Sequence, residues 1–170
     1  YSFDKDGLHF CSLSAHPDST INEWLKKDLA AHKGQPTVLF LHYNIRGERS
    51  NWISNSDIDA FVQALSPYKG QIKAIINGHN HSSYTTTFDK LAGIPIYGVG
   101  GKEFALFTYA PETQQLTATF YKAVKNPAQV GDFIPTITTV PVNSEKNSTD
   151  KDDLKDAIER GWNWKIIRNH

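Results

Sequence analysis

Three histidines offer the first chemistry in this sequence. His79 and His81 stand one residue apart in the stretch GHNH, directly after the apolar run QIKAIIN, and His42 closes a second apolar run, TVLFLH. Neutral imidazole is a borderline ligand suited to zinc, iron, manganese, cobalt or nickel. Two histidines separated by one residue reach neighbouring coordination positions when the backbone turns between them, and Gly78 would help permit such a turn. A His-x-His pair by itself is also an ordinary loop composition. Placed at strand ends whose apolar runs fix the backbone, it points to metal binding.

The elements that must hold these residues can be read from periodicity. TVLFLH is β-branched and aromatic without polar alternation, as expected of a strand buried on both faces, and QIKAIIN reads the same way. Between them, after a polar loop YNIRGERSNW, NSDIDAFVQALSPY has helical spacing, with Ser56 and Asp59 as a cap pair and Pro67 past its end. Strand, helix and strand in this order predict a crossover with parallel strands, so that His42 and His79 leave the same carboxyl edge of a sheet. Open α/β sheets bind their ligands on that edge.

Upstream, YSFDKDGLHFCSLSA predicts a hairpin about an Asp-Lys-Asp-Gly turn. It is followed by a helix over STINEWLKKDLAAHKG, with Thr20 as N-cap, Glu23 as its partner and Gly34 as the stop. Downstream, YTTTF, IPIYGVG, FALFTYA and QLTATFYKA read as short strands of an antiparallel layer, with a hairpin turn over residues 110–113. Residues 123–149, rich in Pro, Thr, Val, Asn and Ser, read as an extended linker or wrap, and 150–170 as a capped helix and an aromatic tail with Trp162 and Trp164 packing on residues 1–122.

Composition narrows the function classes. Eighteen basic residues balance eighteen acidic ones among the 170, so no overall field draws nucleic acid or an anionic membrane. Cys11 is the single cysteine, which excludes an internal disulfide and a Cys-rich zinc cluster. No apolar run reaches the roughly 18–20 residues of a membrane span. Tyr1 already stands within strand-like sequence, which leads to the expectation that further residues precede it.

The run IKAIINGHNHSSY resembles the last signature of the calcineurin-like metallophosphoesterases, Gly-His-x-His after a buried strand. TVLFLHY is similar to the segment that carries the family's isolated histidine, and the likeness extends over roughly residues 1–121. The resemblance implies an α/β fold with mixed sheets, part of a four-layer αββα sandwich. It also implies a hydrolytic site with two divalent metal ions (Fe, Zn or Mn), His42 and His79 on one and His81 on the other. Metal-bound hydroxide would attack the phosphorus of a phosphoester in line. The family's Asp-x-His, Gly-Asp-x-x-Asp and Gly-Asn-His signatures do not occur in this sequence. Three neutral imidazoles alone do not offset the repulsion of two cations, so the chain reads as the C-terminal portion of a catalytic domain, inactive by itself. The alternative is an inactive binding module on a degenerate phosphoesterase scaffold.

Around these ligands, Tyr43 stands where many relatives carry another histidine, and its phenol suits a wall of the substrate cleft; a packing aromatic is the plainer reading. Arg46 and Arg49 could form a fork to a phosphoryl oxygen, though surface arginines are more often simply solvated. Cys11 reads as a buried small hydrophobe, and the spacing of His9, His16 and His32 suggests no ligand set.

Overall fold

The computed structural model describes residues 1–45, 52–101, 103–125 and 133–137. Arg46, Arg49, Trp162, Trp164 and the expected C-terminal helix lie outside them.

The architecture is α/β with mixed sheets. Strands β1 (Ser2–Lys5) and β2 (Leu8–Ser12) form the expected hairpin, closed by Asp6 and Gly7 at positive φ. Helix α1 (Ser19–Ala31) leads to β3 (Thr37–Leu41), helix α2 (Asn55–Leu65) to β4 (Ile72–Asn77), and β5 (Tyr84–Phe88) and β6 (Ile94–Gly98) complete a six-stranded sheet in the order β1-β2-β3-β4-β6-β5. Strands β2, β3, β4 and β6 run parallel, while β1 and β5 are antiparallel edges. A second sheet is antiparallel, in the order β7 (Glu103–Ala110), β8 (Gln115–Lys125), β9 (Phe133–Ile137).

The structure departs from two expectations. YTTTF and IPIYG do not join the antiparallel layer: β6 lies against β4 in parallel register, with Ile96 and Tyr97 buried on opposite faces as an interior strand requires. The helix caps also fall earlier than expected. Asp18, not Thr20, caps α1, its carboxylate accepting from the Ile21 N–H at 2.8 Å. In α2, Ser54-Asn55-Ser56-Asp57 overlaps the Ser56–Asp59 pair, and Ser54 takes the cap by accepting from the Asp57 N–H at 3.1 Å. Both caps satisfy a first-turn N–H that has no partner inside its helix.

Alternation along the central strands produces three layers among the described residues. Cys11, Leu13, Leu39, Leu41, Ile75 and Ile96 face the helices, where Leu25, Leu29, Ile58, Phe61 and Leu65 complete one core. Leu8, Val38, Ala74, Ile76 and Tyr97 face the second sheet through Leu116, Ala118 and Phe120. Strand β3 is thus buried on both sides, as its sequence predicts. On the second-sheet face an aromatic row, Tyr1, Phe3, Phe10 and Phe40, runs out to the β1 edge, where Tyr1 and Phe3 are 78% and 48% exposed. Strand β9 falls within the segment read as a linker and pairs with residues 121–125 of β8.

Candidate metal centre

Four parallel strands end together, and their loops meet at one edge. The register sets Leu41 beside Asn77 and Asn77 beside Gly98. Backbone hydrogen bonds continue past the strand ends: His42 N–H to Ser14 O at 3.1 Å, Tyr43 N–H to Ala15 O at 2.8 Å, Gly78 N–H to His42 O at 3.2 Å and Val99 N–H to Asn77 O at 2.8 Å. The loops carrying the histidines are therefore pinned by the sheet itself.

The turn between the histidines is not made by Gly78. His79 and His81 themselves take positive φ, 66° and 53°. Non-glycine residues adopt this left-handed region uncommonly and at a cost, and such residues concentrate at functional sites. Room for the loop comes from glycines on β6 and beyond it. A Cβ on Gly98 would lie 2.0 Å from the Tyr84 ring, and one on Gly101, itself at φ 70°, 2.5 Å from the His81 carbonyl oxygen.

The outcome is a close pair. His42 Nε2 and His79 Nδ1 are 3.2 Å apart with their rings at 83°. Two nitrogens about 2.0–2.1 Å from one zinc are separated by about 3–3.4 Å, so the pair has the spacing of two ligands on a single ion. His81 is exposed in the same loop and does not join them in a set whose ligand atoms all lie within 4.8 Å of one another. Tyr43 and Trp52 wall the pair: their rings stack at 5.9 Å, and both meet His79 edge-on, at 5.0 and 4.5 Å. Arg46 lies outside the described residues.

Beside the pair an open cleft of about 350 Å³ is lined by Ser12, Ser14, His42, Asn77, Gly78 and Val99. The sequence reading did not single out Asn77, although a polar residue closing a buried apolar strand was a signal for it. Its side-chain oxygen accepts from the Tyr84 hydroxyl at 2.6 Å, whereas its buried Nδ2 has no partner among the described residues. His16 Nδ1 and Asn44 Oδ1, in the loops after β2 and β3, are likewise buried and unpartnered. Trp52, 58% exposed at this edge, was also missed, being one aromatic in a polar loop with no periodicity.

A second cluster brings together His9 and His32, whose spacing in sequence suggested no ligand set. The side chains of His9 and Cys11, two apart on β2, face α1. His9 Nε2 lies 2.7 Å from Asp28 Oδ2, and its Nδ1 lies 2.7 Å from Asp4 Oδ1. The Cys11 thiol donates to Asp28 Oδ2 at 3.2 Å, the Ser2 hydroxyl to Asp28 Oδ1 at 2.8 Å, and the His32 ring stacks on His9 at 3.8 Å. Burial raises the Asp28 carboxyl, but hydrogen bonds from His9, Ser2 and Cys11 outweigh it and hold the group below its ordinary value. The His9 hydrogen bond likewise lowers Asp4, and burial pushes the Cys11 thiol well up. The sequence concealed this cluster because hairpin pairing joins residues 5 positions apart and helix docking residues 17 to 26 apart.

No family model and no curated protein matches the chain, so its own residues and geometry decide what this edge can do.

Proposed function

We propose that the chain is part of the catalytic domain of a metal-dependent phosphoester hydrolase of the calcineurin-like type. The observation that carries this reading is the approach of His42 Nε2 to 3.2 Å from His79 Nδ1 at the carboxyl edge of parallel strands. His42 and His79 would hold one divalent ion of the Fe, Zn or Mn class, and His81 would serve a second. When bound, the ions supply Lewis acidity toward a phosphoryl oxygen and lower the pKa of a nucleophilic water. Tyr43 and Trp52 fix the His79 ring and exclude water on that side, and the Tyr43 phenol and Arg46 bind phosphoryl oxygens of the substrate.

On this reading the carboxylates that balance two cations are those of the family's aspartate signatures, which a companion segment would supply. The exposed aromatic row on the second-sheet face is where such a segment would pack to complete a four-layer αββα arrangement. The rival reading, an inactive binding module on the same scaffold, is favoured by the missing aspartate signatures. Expressing the open reading frame together with its upstream coding sequence separates the two. The hydrolase reading expects cleavage of bis(p-nitrophenyl) phosphate or p-nitrophenyl phosphate that depends on added Mn²⁺ or Zn²⁺ and is lost in His79→Ala. A frame that extends no further upstream, with no metal-dependent turnover, would leave the binding module standing.

A further inference from the structure

We propose that His9, Cys11 and Asp28 form a second metal site, independent of the carboxyl edge, which takes a borderline divalent cation of the zinc class between β2 and α1. One imidazole nitrogen, one thiol sulfur and one carboxylate oxygen, each of a type zinc accepts, lie within 4.8 Å of one another. His9 and Cys11 are both fully buried, and the Asp28 side chain is 12% exposed, leaving a route for solvent and a place for a fourth, water ligand. Nε2 and Sγ are now 2.7 and 3.2 Å from Oδ2. Tetrahedral ligands on zinc are separated by about 3.3–3.8 Å, so opening by roughly half an ångström through side-chain rotation suffices.

Two further features fit a cation rather than a simple hydrogen-bond knot. Asp4 holds His9 Nδ1 and thereby directs Nε2 inward, the carboxylate–histidine arrangement that orients zinc-binding imidazoles. Ser2 occupies the other Asp28 oxygen, leaving Oδ2 for the ion. Charge is also conserved. The 2.7 Å contact between His9 Nε2 and Asp28 Oδ2 holds one proton, and the Cys11 thiol that donates to the same oxygen holds another. A divalent ion that binds Nε2, Sγ and Oδ2 displaces both to solvent. Two positive charges enter as two leave, so the buried cluster gains no net charge to desolvate. Hard, oxygen-seeking ions gain little from a thiolate and an imidazole.

Titration of the 170-residue chain with Co²⁺ at neutral pH tests this. The expected result is a near-ultraviolet thiolate-to-cobalt band saturating at one equivalent per chain, with two protons released per ion. The band should disappear in Cys11→Ser, remain in His79→Ala, and require about 10–100-fold more Co²⁺ in Asp4→Asn. A folded wild-type chain that shows no thiolate band in excess Co²⁺, or only the weak visible bands of nitrogen and oxygen ligation, overturns the proposal. Because the wild-type titration decides the matter, a variant that fails to fold does not leave it open.

Discussion

At the scale of residues, the strain and the charge sit at opposite ends of the sheet. His79 and His81 hold left-handed backbone at the carboxyl edge, at about 1–3 kcal/mol each, and the loop tolerates this because strand-end hydrogen bonds and the glycines facing it leave no alternative. At the start of β2, His9 lies between the carboxylates of Asp4 and Asp28 and ties the hairpin to α1. Asp28→Asn removes the mostly buried carboxylate that accepts from Ser2 and Cys11 and meets His9, and should cost about 2–4 kcal/mol in denaturant unfolding, without altering metal binding at His42. The sign of the pH dependence follows from the lowered Asp28 carboxyl. Its stabilisation is complete above the ordinary value of 3.8 and is lost as pH falls through the lower folded value. Wild type should therefore lose stability below about pH 4 more steeply than Asp28→Asn, which melting temperatures measured across that range would check.

Elements transmit sequence to site through register. Asp18→Ala removes the side-chain cap of α1 and should lower stability by about 1 kcal/mol. Gly98→Ala should do more, because its Cβ meets the Tyr84 ring at 2.0 Å. Displacing that ring breaks the Tyr84–Asn77 hydrogen bond, and a loss of about 1–3 kcal/mol together with weaker metal binding is expected. How much of this was legible depended on range. The parallel β3–α2–β4 crossover, and with it the shared edge of His42 and His79, was written in two continuous apolar runs and a helical period. The membership of β5 and β6 was not, because short strands bounded by Gly and Pro look alike whichever sheet they join; the burial of Ile96 and Tyr97 on opposite faces decides it. The caps were misplaced because Ser-x-x-Asp occurs twice in overlapping frames at α2. The His9 cluster is assembled wholly by tertiary contact between β1, β2 and α1, which no local pattern reports.

For the molecule as a whole, helices cover one face of the central sheet and the second sheet covers the other, yet the aromatic row from Phe40 to Tyr1 extends to an open edge strand. An exposed apolar row beside an unpaired edge invites association. Light scattering of the isolated chain should show concentration-dependent association that Phe3→Lys reduces. The central claim concerns the other end of the molecule, where four parallel strands converge on a histidine pair. Its most direct test is a Mn²⁺ titration of the chain followed through the imidazole resonances, assigned with His42→Ala and His79→Ala. The account predicts that the His42 and His79 lines broaden first and together, and that His79→Ala abolishes the effect on His42. Broadening spread evenly over all seven histidines, or none at these two in metal excess, would contradict it.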